Sequence, residues 1–341
     1  MERWIVKAGA SSLESLVIEE TPTPLPGPGQ VRIAMKAVSL NARDQLLLSG
    51  QYGIAAADFV PIADGAGVVE ALGPGVDAWS VGDRVTTLYF DGWTDGPPRP
   101  GMGWGLGSSA GDNGVLAQSV VLDATRVARM PPALTFEEAA TLPCAALTAW
   151  SALNGNRPYL RPVAKDDRVL VTGTGSVALF AALFALAAGA TVAATTGQDD
   201  KRDRLRSLGV REVVNYRTQP AWGRVAAEHA GGFDRVVNAA GTAALDQCIA
   251  ALAPGGEIAL MGLYEHAQAT PDFITLMMKS GSIRGTSVGS AHAYRDMLDF
   301  IEARGIKPPI GRTFAFDQAR EAYREAASGR TFGKVVIRIG A

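Results

Sequence analysis

The chain of 341 residues predicts an α/β protein in which a doubly wound parallel sheet is inserted into a β-rich, barrel-like domain. Three observations predict this. Residues 1–125 are rich in β-branched residues broken by Pro/Gly turns. From about residue 131 strand and helix patterns alternate, the rhythm of a parallel sheet. The last apolar strand, Lys334 to Ile339, has no partner sheet of its own and is expected to return to the N-terminal domain. The expected domains are therefore 1–130 with 289–341, and 131–288, with a cleft between them.

The elements follow in order. Val31–Met35, Gly67–Leu72 and Gly82–Thr86 read as strands, with Pro26-Gly27-Pro28-Gly29 and Gly73-Pro74-Gly75 as turns. Residues 91–114 form a long glycine-rich loop, and such loops are often functional. Strands are expected at 168–172, 190–195, 212–215, 233–238, 257–261 and 282–286. Helices are expected between them at 176–188, 200–208, 221–230, 243–252 and 271–279, with stops at Gly189 and Gly209. Ser290 is a candidate N-cap for a helix to about Ala303, and Asp317 opens another from Gln318.

The most informative stretch runs from Arg168 to Phe180. A β-branched run ends in Gly173-Thr174-Gly175-Ser176-Val177-Ala178, and an Ala/Leu/Phe helix follows. This strand, Gly-x-Gly-x-x-Ala turn and helix is the pattern of a Rossmann dinucleotide site. Gly173 allows the sharp turn, and Gly175 allows a pyrophosphate to approach. Ala178 allows the helix to pack close to its strand. The free N–H groups at the helix start would hold the pyrophosphate.

Composition excludes other classes. Hydrophobic residues make up 47%, charged residues 19%, and the net charge is −2, with no basic stripe for nucleic acid. The two cysteines, Cys144 and Cys248, and three histidines, His229, His266 and His292, form no Cys-x-x-Cys or zinc-finger spacing. Val177 to Ala190 is too short for a bilayer and reads as a buried helix. The N-terminus has no signal-peptide pattern, and a cytoplasmic location is expected.

Five ordered blocks now resemble the medium-chain dehydrogenase/reductase superfamily. They are Val38–Asp44, Pro61–Val69, Gly82–Val85, Glu137–Trp150 and Phe332–Val336. The resemblance implies a GroES-like catalytic domain carrying an inserted Rossmann domain. The alcohol dehydrogenase branch supplies a Cys, a His-Glu pair and a second Cys or acidic ligand to catalytic zinc. This chain has Asn41-Ala42-Arg43-Asp44 and Asp64-Gly65 at those blocks, and Cys144 alone falls near a ligand position. One thiolate cannot hold zinc, which takes three protein ligands. The loop 91–114 has no cysteine for a structural zinc lobe. The Asn-x-x-Asp and Leu-Pro-x-x-x-x-Thr-Ala forms resemble the zinc-free branch of quinone oxidoreductases and enone reductases.

Without a metal, electron-poor substrates are favoured, because hydrogen bonds then suffice for the developing oxyanion. The candidate catalytic residues are Asn41, Tyr52 and Asp44, with Tyr264 a weaker donor; Arg43 and Asp44 can also pair structurally. For the cofactor, Gly173, Gly175, Ser176 and Val177 would cradle the pyrophosphate. Asn238, Gly262, Leu263 and Tyr264 would close over ribose and nicotinamide. Thr148, Phe332, Gly333 and Lys334 are implied by the resemblance. NADPH is expected over NADH, because Thr195 or Thr196 stands where an NAD site places an acid about 20 residues past the turn. Lys201 or Arg202 and Tyr216 would reach the 2′-phosphate; Asp199-Asp200 counts against this, read here as a helix start. The expected activity is NADPH-dependent reduction of a quinone or α,β-unsaturated carbonyl. The alternatives are an alcohol dehydrogenase with a metal-free relay and a cofactor-binding protein without turnover. A homodimer is expected through the edge segment Ser282–Val288.

Overall fold

A computed structural model describes residues 1–262 and 270–340. It contains two compact units, Met1–Ala145 with Ser290–Ala341, and Ala146–Gly289. The first unit opens with an antiparallel pair, β1 (Glu2–Val6) and β2 (Leu16–Glu20). β3 (Gln30–Ser39) is followed by α1 (Ala42–Leu48), β4 (Asp64–Leu72) and β5 (Arg84–Thr87). β6 (Ser119–Asp123) pairs with β3, and β7 (Val127–Arg129) pairs with β5. A short α2 (Phe136–Ala139) packs on β3 and β4. It is opened by a capping box: Thr135 Oγ1 accepts the Glu138 N–H, and Glu138 Oε2 accepts the Thr135 N–H.

The second unit alternates: α3 (Leu147–Asn154), β8 (Arg168–Val171), α4 (Ser176–Ala187), β9 (Thr191–Thr196), α5 (Asp200–Ser207) and β10 (Glu212–Asn215). Then come α6 (Trp222–Ala230), β11 (Phe233–Asn238), α7 (Leu245–Ala251), β12 (Leu252–Leu260), α8 (Phe273–Met278) and β13 (Ser282–Gly285). The six strands form one parallel sheet in the order β10-β9-β8-β11-β12-β13. The order reverses beside β8, which is where such sheets bind ligands. On one face Trp222, Ala226, Leu245, Cys248 and Ile249 pack over Phe233, Val236 and Ile258. α4 is buried from Ala178 to Ala182, so its apolar run reads as core.

The chain then returns to the first unit as α9 (Ala291–Arg304), β14 (Ile310–Ala315), α10 (Ala319–Ala327) and β15 (Lys334–Arg338). β15 pairs antiparallel with β3, giving the sheet β14-β15-β3-β4-β5-β7. The expected return of the last strand is therefore observed. Two boundaries differ from expectation. Residues 131–145 belong to the first unit rather than the second, because α2 buries its apolar side on β3 and β4. β12 begins at Leu252 rather than 257, since a register break between Phe233 and Arg235 absorbs Pro254-Gly255-Gly256. Among the described residues no helix is long and apolar enough to cross a membrane.

Candidate active site

In the first unit the strand ends assemble a buried ionic cluster. Ser39, the last residue of β3, stands opposite Asp64, the first residue of β4. On the other side of β3, the Leu40 N–H donates to the Val335 carbonyl at 3.0 Å. This brings Lys334 level with Asn41. Lys334 Nζ donates to Asn41 Oδ1 at 2.6 Å and to Asp64 Oδ2 at 3.4 Å. Both charged side chains are 0% exposed. Gly333 makes this approach possible: its φ is +105°, and a Cβ there would lie 2.5 Å from the Pro309 carbonyl oxygen. Burial pushes the Asp64 carboxyl up, while Lys334 and Asn41 pull it back down.

An ammonium can only donate, so it fixes the Asn41 amide with its oxygen toward Lys334. Asn41 Nδ2 is then left buried without a hydrogen-bond partner, as is Asp64 Oδ1. The Asn41 N–H donates to Asp44 Oδ2 at 2.7 Å, opening α1. Asp44, expected in catalysis, is thus committed to a helix start and is buried beside Arg43, its Oδ1 accepting from Arg43 Nε at 3.4 Å. The Arg43 guanidinium also reaches the Tyr89 hydroxyl at 2.7 Å, the Trp104 carbonyl at 2.6 Å and the Leu106 carbonyl at 2.5 Å. Tyr52 is half-buried, and its ring stacks on Trp104 at 4.3 Å. Burial pushes its phenol up, so it stays a neutral donor at working pH.

These residues do not fit zinc. Burial pushes the Cys144 thiol up and disfavours the thiolate that binds metal. Asp64 is paired with a lysine, and a neutral amide stands at Asn41. Among the described residues no group of three His, Cys, Asp or Glu side chains could hold a metal ion.

The second unit holds the residues expected to take a nicotinamide cofactor, and their geometry fits it. Gly173 has φ +81°, and its N–H donates to Thr195 Oγ1 at 2.9 Å. A Cβ on Gly173 or Gly175 would meet nothing within 4 Å, so the space over the turn is open. α4 starts at Ser176, and the N–H groups of its first turn, Ser176 and Val177 included, lack intrahelical acceptors and point to that space. Thr195 and Thr196, expected as phosphate donors, also serve the backbone, Thr195 as acceptor from Gly173. Thr196 Oγ1 donates to the Gln198 carbonyl and accepts the Gln198 N–H, each at 3.1 Å.

At the carboxyl ends of β11 and β12 the fit is tight. Asn238 is fully buried; its Nδ2 donates to the Gly241 carbonyl at 3.0 Å and its Oδ1 accepts the Ala240 N–H at 3.1 Å. It shapes the 238–241 turn. A Cβ on Gly262 would lie 2.1 Å from the Gly241 nitrogen, so these two loops touch through Gly262. Thr148 is buried on α3. Leu263 and Tyr264 lie outside the described residues.

Other residues expected at the cofactor are engaged or buried within their own units. Lys334 is held by Asn41 and Asp64, and Phe332 near it is buried. Lys201 is buried rather than presented to a phosphate, and burial lowers its ammonium pKa. Arg202 pairs with Asp199 at 3.5 Å. Asp199 gives its α5 no side-chain cap and instead accepts from Asn215 Nδ2 at 3.0 Å. The Tyr216 hydroxyl reaches the end of β9: a Cβ on Gly197 would lie 2.4 Å from its oxygen. The same test puts Arg217 Nε at 3.1 Å. Arg217, exposed here, carries no local sequence signal, because only the parallel pairing of β9 with β10 brings its turn beside Gly197.

Residues 176–303 match the family described as zinc-binding dehydrogenase, and residues 27–132 match the alcohol dehydrogenase GroES-like domain. A zinc-type alcohol dehydrogenase-like protein of Schizosaccharomyces pombe is 37% identical over 347 residues, covering 99% of each chain. The structure of an NAD-dependent alcohol dehydrogenase is 33% identical, with a TM-score of 0.88 and full coverage of both chains. A cobalt- and zinc-bound thermostable alcohol dehydrogenase of Pyrobaculum aerophilum is 29% identical, with a TM-score of 0.82, covering 99% of this chain and 100% of that one.

Proposed function

Because the chain belongs to the medium-chain dehydrogenase/reductase superfamily, whose members are nicotinamide-dependent oxidoreductases, we propose that it reduces quinones or α,β-unsaturated carbonyls with NADPH and without a catalytic metal. The observation that carries this reading is the buried Lys334–Asp64 pair beside Asn41, a donor set unsuited to zinc. When bound, a reduced nicotinamide would supply a hydride, two electrons and one proton, to an electron-poor carbon, leaving negative charge on the substrate oxygen. Tyr52 offers a neutral hydroxyl to that oxygen and can pass it a proton. Lys334 and Asp64 keep Asn41 in one orientation. Water is the final proton source.

The test uses purified protein after dialysis against a zinc chelator. NADPH oxidation is expected with 1,4-benzoquinone or an acyclic enone, with no gain on adding zinc. Zinc-dependent activity confined to saturated aldehydes or alcohols would overturn the proposal and favour alcohol dehydrogenation, the activity named for the relatives above.

For the cofactor phosphate, Arg217 replaces Lys201 and Arg202 as the cation of this reading. Tyr216 and Arg217 meet over Gly197 at the end of β9, a strand that itself ends without an acidic residue, and the nearby Asp199 is engaged by Asn215 and Arg202. Arg217→Ala is expected to weaken binding of 2′,5′-ADP by about tenfold or more, with little effect on 5′-AMP. Calorimetry on the two fragments checks this, and equal weakening of both removes the assignment.

The proposed assembly is a homodimer through β13. β13 ends the parallel sheet, and α8 before it exposes Phe273, Ile274, Met277 and Met278, at 51–77% of each residue's surface. Light scattering at micromolar protein is expected to give twice the chain mass. A monomer would refute it.

A further inference from the structure

Trp104 is 53% exposed, yet its carbonyl is held by two buried side chains. Its carbonyl accepts from Arg43 Nη1 at 2.6 Å and from the Tyr89 hydroxyl at 2.9 Å. Two residues on, the Leu106 carbonyl accepts from Arg43 Nη2 at 2.5 Å, and its N–H donates to the Tyr89 carbonyl at 2.9 Å. Between them Gly105, at φ +84°, lies so close to Tyr89 that a Cβ would sit 2.4 Å from the ring. Arg43 is buried, stacks over the Tyr89 ring at 4.9 Å and is itself anchored to Asp44. A buried guanidinium is thus used to fix a short piece of loop whose most exposed large side chain is an indole.

That indole does not stand alone. Tyr52 stacks on it with ring centroids 4.3 Å apart and 18° between planes. Tyr52 follows α1, and its N–H bonds back to the Leu46 carbonyl. Its stacking partner Trp104 is tied by its carbonyl to Arg43, and Arg43 to Asp44, which accepts the Asn41 N–H of the buried cluster. The pair is a flat, rigid, aromatic surface at the edge of the site, ordered before any ligand arrives.

We infer that Trp104 and Tyr52 form an aromatic wall that receives a flat conjugated ring of the substrate, and that Arg43 is the positioning residue that holds Trp104 in place. This narrows the substrate of the reading above, on which it rests, to aryl or fused-ring quinones and enones in preference to acyclic ones. A stacked ring gains from both the quadrupole geometry and the absence of ordering cost.

The test compares 1,4-naphthoquinone with methyl vinyl ketone, each with NADPH. Trp104→Ala is expected to lower the ratio of their kcat/KM values by about tenfold, mainly through the KM of naphthoquinone. Trp104→Phe keeps a ring and should restore most of the ratio. Arg43→Lys keeps the charge but loses the fork, and should lower the ratio while weakening the near-ultraviolet dichroism of the Tyr52–Trp104 stack. An unchanged ratio in Trp104→Ala overturns the inference. If the wild type reduces neither compound, the reaction assignment fails, and the wall is judged by calorimetric binding of naphthoquinone alone. Binding about tenfold weaker in Trp104→Ala than in Trp104→Phe supports it, and equal binding overturns it.

Discussion

Gly175→Asp is expected to abolish cofactor binding while leaving the protein slightly more stable. Gly175 is the N-cap of α4, at φ −71° and ψ 170°, a conformation any residue adopts. A side chain there meets nothing within 4 Å. Asp is a better N-cap than Gly by a few tenths of a kcal/mol. The same carboxylate would stand where the pyrophosphate approaches. Like charges about 4 Å apart, at an effective dielectric near 20, repel by about 4 kcal/mol, so binding should fall at least a hundredfold. Thermal denaturation and calorimetric titration with NADPH give the two numbers. Retained binding would move the cofactor away from this turn.

Lys334→Met should be the most damaging single change in the first unit, at about 3–5 kcal/mol. It leaves Asp64 buried without its cation and Asn41 Oδ1 without its donor. The loss depends on pH. Burial already raises the folded pKa of Asp64, and removing Lys334 removes the largest opposing influence. The folded variant then holds a proton that the unfolded chain releases near the usual carboxylate range. Stability is therefore greatest below that range and falls as pH rises through the raised folded pKa. Adding Asp64→Asn should recover much of the loss and flatten the pH dependence. Denaturant unfolding between pH 5 and 8 checks both statements. A double variant no better than Lys334→Met would mean the pair is not energetically coupled.

The sequence made the parallel sheet legible because its strands and helices carry local signals: β-branched runs, glycine stops and the turn at Gly173. It made the return of β15 legible because an apolar strand needs a partner. Side-chain commitments were harder. Asn41 was singled out from its block, but nothing local says that its oxygen faces a lysine from the far end of the chain. A signal was present, since Asp64 and Lys334 are the charged residues in otherwise apolar strand starts, Ile62-Ala63-Asp64-Gly65-Ala66 and Lys334-Val335-Val336-Ile337. Isolated charges in buried strands demand a partner. Lys201 misled for the opposite reason. Its position in the sequence suggested a phosphate ligand, and helical geometry turned it inward. Arg217 gains its place only because the sheet brings the turns after β9 and β10 together.

The descent of Lys334 onto Asp64 also fixes the order in which the molecule can be finished. The two residues are 270 positions apart. A ribosome therefore completes the whole of the second unit, a continuous segment, before the lysine emerges. Until then the Asp64 carboxylate has no cation to bury against, and the end of β3 has no β15 beside it. The nascent chain can fold its inner unit early. The discontinuous unit stays open until β15 is made, and a chain ending before Lys334 would carry the glycine turn without a completed ionic cluster.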